Sequence, residues 1–217
     1  MFEFRKISHT FGENSGALIL EEISFEIREG ECVGLTGPSG CGKSTLAQIG
    51  AGFVTPSSGE VLVDGRNLTS TPSRAVALIH QEADLFPWLK VEKQILFAMQ
   101  KSDRSRAKEL ISLVKLSGAE KYYPNQLSGG MKKRLALARG LAINPKLLIL
   151  DESFSSLDAN LKYDLYRDLR LIWEKTKTTI LLITHDSRDL QNLAHREVRL
   201  SAGKPTGIVE IVEMPAL

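Results

Sequence analysis

The stretch GPSGCGKST, Gly37 to Thr45, decides the fold. It fits the pattern G-x-x-x-x-G-K-[ST], with Gly37, Gly42, Lys43 and Ser44 in the fixed places. The apolar run CVGLTG, Cys32 to Gly37, precedes it and reads as a buried strand. TLAQIGAG follows it and starts well as a helix. Strand, glycine-rich loop and helix is the setting in which backbone N–H groups turn inward to cradle phosphate oxygens. The helix adds its unpaired first-turn N–H groups and the positive end of its dipole. Pro38, Ser39, Gly40, Cys41 and Thr45 complete the loop. Lys43 is expected on the β- and γ-phosphates and the Ser44 hydroxyl on Mg²⁺.

Outward from this loop the chain alternates. ILEEISFEIR, Ile19 to Arg28, puts Ile23, Phe25 and Ile27 on one strand face, and FEFRKIS at the N-terminus alternates as well. GEVLVDGRNL carries Asp64-Gly65 between apolar residues, a hairpin signal. AVALIHQ, Ala75 to Gln81, is a further strand. From about Pro87 to Gly140 the pattern is mostly helical, and Ala107, Leu110, Ile111 and Val114 share one face. KLLILDE and TILLITHD are later strands, with Leu161, Leu165, Leu169 and Ile172 marking a helix between them. This order predicts an α/β fold with a largely parallel sheet buried on both faces. Ligands in such sheets sit at the carboxyl ends of strands. The phosphate loop, Asp151-Glu152 and His185 all fall there.

The bulk properties exclude several classes. The chain has 217 residues, 42% apolar and 25% charged, with a net charge of +2. That balance gives no electrostatic footprint for nucleic acid. The two cysteines, Cys32 and Cys41, form no disulfide framework and suit a reducing compartment. MFEFRKISHTF lacks the apolar core of a signal peptide, and LLIL, Leu147 to Leu150, is far too short to span a bilayer.

Asp151 and Glu152 divide two tasks, because adjacent strand residues point to opposite sides. Asp151 is expected to hold Mg²⁺, and Glu152 to polarise the attacking water as general base. His185 is expected near the γ-phosphate, while His9, His80 and His195 read as structural. LSGGMKKRLALARGL, Leu127 to Leu141, supplies a second anion site. Ser128 can cap a helix, Gly129 and Gly130 free its first turn, and Met131, Leu135 and Ala138 continue an apolar face. One γ-phosphate does not need two such sites in one subunit, so the second is expected to serve a nucleotide held by another copy.

In order, GPSGCGKST, Gln81, LSGGM, LLILDE, SSLD at Ser155 to Asp158, and His185 resemble the ABC transporter ATPase family over almost the whole chain. The resemblance implies a P-loop NTPase of the ABC type: a mixed or parallel sheet core, an N-terminal antiparallel β subdomain and an inserted helical subdomain. On that division, 1–86 and 141–217 form the core and β subdomain, and 87–140 the helical part carrying the signature. It further implies ATP and Mg²⁺ as cofactors and a homodimer sandwiching two ATP molecules head to tail. Phe11 matches the aromatic that stacks on adenine. Gln81 matches the loop that senses Mg²⁺ and γ-phosphate and links to the helical subdomain, and Asp158 the loop that contacts the opposite subunit. Ser153 departs from the proline usual after the acidic pair. HQEADLFPWLKVEKQILFAM, His80 to Met99, and the tail from Leu193 to Pro215 are similar to importer ATPases of the nitrate, sulfonate and taurine type. Integral membrane permease subunits, an extracytoplasmic substrate-binding protein and a peripheral place on the cytoplasmic membrane face are implied, with no nucleic-acid partner. Phe86, Pro87, Trp88 and Leu89 form an apolar cluster that is either helical-subdomain core or a socket for a permease helix. A soluble ABC ATPase of DNA repair or translation, an exporter ATPase and an inactive paralogue are the competing readings. The unfused, uninserted chain, its near-neutral charge and intact Lys43, Asp151, Glu152 and His185 weigh against them.

Overall fold

The structure is a computed structural model and describes residues 1–10, 17–152 and 159–215; of residues 159–161, 164 and 165 only the backbone is described. In chain order the elements are β1 (Phe2–Thr10), β2 (Leu18–Ile27), β3 (Cys32–Thr36), α1 (Lys43–Gly50), β4 (Ser58–Val63), β5 (Arg66–Asn67) and β6 (Val76–Ile79). There follow α2 (Val91–Ala98), α3 (Arg104–Leu113), a 3₁₀ turn (Pro124–Gln126), α4 (Gly129–Ala142) and β7 (Leu147–Asp151). The last are α5 (Ala159–Thr176), β8 (Ile180–Ile183), α6 (Ser187–Leu193), β9 (Arg196–Leu200) and β10 (Ile208–Glu213).

The strands form two sheets. One is antiparallel, ordered β2-β1-β4-β5. The other is ordered β10-β9-β3-β8-β7-β6, with parallel pairs from β9 to β6 and β10 antiparallel at the edge. The expected α/β architecture is therefore borne out, including the antiparallel unit at the N-terminus.

Period-2 alternation explains how the layers assemble. Val33, Leu35, Leu147, Ile149, Leu181 and Ile183 point to one face of the larger sheet, onto α1 and the Phe2, Phe4, Ile23 and Phe25 side of the antiparallel sheet. Cys32, Leu148, Leu150, Ile180 and Leu182 point to the other, where α2 to α5 cover them. Ile23, Phe25 and Ile27 share a buried face as the sequence requires. The alternation of β1 is interrupted at Lys6 (φ 49°) and that of β2 at Glu22 (φ 46°), where the β1–β2 register shifts. Each is a bulge residue in the left-handed region, and each keeps the apolar residues that follow it on the buried side. Asp64 (φ 49°) and Gly65 (φ 76°) form the hairpin turn with both central residues at positive φ, the geometry that matches strand twist.

A buried ion pair closes the core at the starts of β3 and β9. Arg196 Nε lies 2.5 Å from Glu31 Oε1, and both side chains are about nine-tenths buried. Burial alone would push the Glu31 carboxyl up, but bonds from Arg196 and from the Arg28 backbone amide outweigh it and hold it below its ordinary range. Glu31→Gln would leave the guanidinium buried without its counter-charge. Chemical denaturation is expected to show a loss of about 3–5 kcal/mol.

Candidate nucleotide site

β3 runs directly into the phosphate loop, and α1 begins at Lys43. The loop depends on backbone that only glycine adopts without strain. Gly37 and Gly42 have φ of 148° and 97°. A Cβ at Gly42 would stand 2.7 Å from Leu20 Cδ2, and one at Gly37 would stand 2.8 Å from Cys41 Sγ. The loop is thus pressed against the β2 side of the core while its other side stays open. A Cβ at Gly40 would meet nothing within 4 Å. Lys43 is buried, and its Nζ donates to the carbonyls of Gly37 (2.8 Å) and Pro38 (3.0 Å). Its ammonium therefore lies across the mouth of the loop, where a phosphate oxygen would meet it.

β7 ends at Asp151, beside β8 in the sheet. Asp151 is buried, and the Ser44 hydroxyl hydrogen-bonds its carboxylate. Its Oδ1 is buried with no hydrogen-bond partner among the described residues. Burial raises its pKa, with Glu152 adding to the rise and Ser44, His80 and Lys43 opposing it. A desolvated carboxylate oxygen beside a serine hydroxyl and a phosphate loop fits a hard divalent cation. No cluster of three or more His, Cys, Asp or Glu suited to a metal occurs among the described residues.

Glu152 steps out of the strand. Its φ is 46°, and its backbone N–H donates to the Ile183 carbonyl at 3.0 Å. This turn carries its carboxylate to the end of β8, where Oε1 lies 3.5 Å from His185 Nδ1. The sequence placed both residues at strand ends; the left-handed turn is what makes them meet. His195 lies apart from them, its Nδ1 accepting the Cys32 N–H at 3.1 Å. Phe11, Ser153 and Asp158 lie outside the described residues.

Ser128, Gly129 and Gly130 open α4, with Ser128 Oγ accepting the Met131 N–H at 3.3 Å as an N-cap. α4 packs on α2, α3 and β6. β6 lies three strands from β3, about 14 Å at ordinary strand spacing. The phosphate loop and α4 of one chain thus stand over different strands of the sheet.

The resemblance implied a link from Gln81 to the helical part; the residues that make it were not legible beforehand. The exposed Gln81 is tied to α4, because Lys133 Nζ donates to its carbonyl. Arg139 of α4 donates to the Asp84 carbonyl at 2.6 Å and lies 4.8 Å over the Phe86 ring. Runs of basic residues on a helix usually read as a solvated face, and no spacing rule announces a carbonyl some 50 positions away.

The apolar cluster after Gln81 is also resolved. Gln94 is fully buried and pins the segment, accepting from Phe86 N–H (3.1 Å) and donating to the carbonyls of Phe86 (3.2 Å) and Leu89 (3.1 Å). Trp88 is left 70% exposed and Phe97 68% exposed, both against Phe86. The tip of the cluster is surface, not core.

A glycine-cradled loop before a helix, backed by a buried carboxylate at the next-but-one strand, defines a P-loop nucleotide-binding cassette. The family model described as ABC transporter matches residues 20–155. The chain belongs to the ABC transporter family, as an ATP-binding ATPase unit. It is 42% identical over 212 residues to the aliphatic sulfonates import ATP-binding protein SsuB of Bacillus thuringiensis subsp. konkukian, covering 96% of this chain and 84% of that one. It is 41% identical over 206 residues to the nitrate import ATP-binding protein NrtC of Synechococcus elongatus, covering 91% of this chain and 31% of that longer one. Among solved structures it resembles a dimeric ATP-binding cassette in a post-hydrolysis state bound to ADP and Pi, with a TM-score of 0.83, 26% identity and full coverage of both chains.

Proposed function

We propose that this chain is the ATP-hydrolysing motor of an importer that moves a small oxyanion, sulfonate or nitrate in type, through a separate membrane permease. The observation that carries the reading is one sheet edge holding the phosphate loop, the Ser44–Asp151 contact and the Glu152–His185 pair, in a chain similar to import ATP-binding proteins. No helix among the described residues is long and apolar enough to cross a membrane.

On this reading Gly37 to Thr45 bind the phosphates, with Lys43 countering their charge. Ser44 and Asp151 hold Mg²⁺, with Gln81 as its sensing neighbour. The ion would supply charge neutralisation on the phosphate oxygens. Glu152 accepts a proton from the attacking water, and His185 orients the carboxylate and the terminal phosphate. Phe11 stacks on the base. Ser128 to Gly130 present the α4 N-terminus to a nucleotide held by a second copy, and Asp158 contacts that copy. Residues 87–140 form the helical part that moves with the signature, and the rest forms the nucleotide-gripping core. ATP closes a homodimer, hydrolysis opens it, and the cycle drives permease helices at the cytoplasmic membrane face. An extracytoplasmic binding protein delivers the substrate.

The Trp88–Phe86–Phe97 surface is the docking place for a permease helix. Trp88→Ala is expected to leave basal hydrolysis of the isolated chain within about twofold and to cut permease-stimulated hydrolysis about tenfold. Equal loss in both assays would make Trp88 a purely structural residue. The proposal as a whole is tested by pull-down of the tagged chain from its native membranes. Recovery with a multi-span permease supports it. Recovery only with ribosomal or DNA-repair partners would remove the transport reading and keep the ATPase.

A further inference from the structure

His185 is 62% exposed at its side chain, so packing does little to fix where its ring points. Its two chain neighbours, by contrast, are tightly held. Thr184 is buried; its N–H donates to the Leu35 carbonyl, and its hydroxyl donates to Asp189 Oδ2 and accepts the Asp186 N–H at 3.0 Å. Asp186 caps α6 through the Arg188 N–H and receives the Lys162 ammonium at 2.9 Å. Asp189 is buried, receives the Tyr166 hydroxyl, and lies 3.9 Å from Lys162 Nζ.

Lys162 is itself more than nine-tenths buried and stands between the two carboxylates. It belongs to α5, and only residues 153–158 separate α5 from Glu152. The cluster therefore ties the helix that follows Glu152 to the loop that carries His185. The Asp186 carboxyl is held far below its ordinary range, chiefly by Arg188 and, against the opposing effect of burial, by Lys162.

We infer that Lys162 is a positioning residue for hydrolysis: through Asp186 and Asp189, with Tyr166 and Thr184 completing the cluster, it holds the His185 loop against Glu152. This rests on the reading of Glu152 and His185 as the hydrolytic pair. Lys162 is paired with Asp186 and lies beside Asp189, so it acts through the backbone on either side of His185. A bare structural tie between α5 and α6 would cost stability when cut and leave turnover per folded molecule unchanged.

The test is steady-state ATP hydrolysis, with melting temperature alongside, for Lys162→Met, Lys162→Arg and Tyr166→Phe in the full chain. Lys162→Met is expected to lower kcat about 10- to 100-fold with the KM for ATP within about twofold, the cost of a misplaced reacting group. Lys162→Arg keeps the charge and is expected to recover kcat to within about fivefold of wild type. In a His185→Ala background, Lys162→Met is expected to add less than about twofold, because both changes act on one element. Where Lys162→Met does not fold, Tyr166→Phe carries the test: it removes one hydroxyl from Asp189, and kcat is expected to fall about threefold at constant KM. Wild-type kcat in the folded variant, or a full-sized loss persisting in the His185→Ala background, overturns the inference while leaving the hydrolytic pair intact. Undiminished turnover in Glu152→Gln would overturn the pair, and this inference with it.

Discussion

Glu152→Gln is expected to lower ATP turnover by about 10²- to 10⁴-fold, the usual worth of a general base, and to leave ATP binding in place. The amide keeps the shape of the carboxylate, so the left-handed turn at φ 46° and the N–H bond to Ile183 are retained. What is lost is the carboxylate proposed to accept the proton, 3.5 Å from His185 Nδ1. The Glu152 side chain is 29% exposed, open enough for water yet placed beside Asp151, so it can take a proton from a water at the loop. Because closure is proposed to need only bound ATP, the variant is expected to accumulate as an ATP-loaded dimer, seen as a doubled mass in size-exclusion chromatography with light scattering. Turnover at the wild-type rate would remove Glu152 from the chemistry.

Gly129→Asp is the second large effect, and its sign differs between stability and activity. Gly129 is the first residue of α4, and a Cβ there meets nothing within 4 Å, so the new side chain fits. α4 carries no acidic residue in its first turn. A carboxylate there complements the helix dipole, and the melting temperature is expected to hold or rise slightly. The same carboxylate repels the phosphate that this N-terminus is proposed to receive. Turnover is expected to fall about 10²-fold, the scale for losing a set of oriented donors. ATP binding by the isolated chain is expected to stay normal, since the phosphate loop is on β3 and untouched. Loss of binding together with turnover would place both anion sites on one nucleotide of one subunit.

The phosphate loop was legible because its chemistry is local: the glycines, Lys43 and Ser44 are fixed by spacing within nine residues. The buried face of β2 was legible because period 2 is a local property too, β7 because a short apolar run ending in charge is one as well, and so was the Asp64-Gly65 hairpin. What connects distant residues was not. The bulges at Lys6 and Glu22 preserve alternation by breaking it, and a sequence pattern cannot place the extra residue. Glu152 and His185 were expected at one sheet edge, but their contact needs a left-handed residue that glutamate seldom adopts. The Lys162–Asp186–Asp189 cluster joins two helices through ordinary charged residues that on paper read as solvated. For Phe86 to Leu89 the residues allowed two readings, and Gln94 pins the segment so that Trp88 at its tip is surface, not core. A glutamine amid helical apolar positions gives no hint that it will satisfy three groups of a neighbouring turn.

The most direct test of a nucleotide site shared between two copies is to mix the two dead variants. Glu152→Gln has an intact signature helix and Gly129→Asp an intact catalytic edge, so a mixed dimer assembles one complete site from one half of each. Hydrolysis after mixing equal amounts, measured against each variant alone, is expected to recover to roughly a quarter of the wild-type rate, given random pairing and one working site in half of the dimers. Activity that stays at the mean of the two separate variants would contradict the account, because each nucleotide would then be served by a single chain.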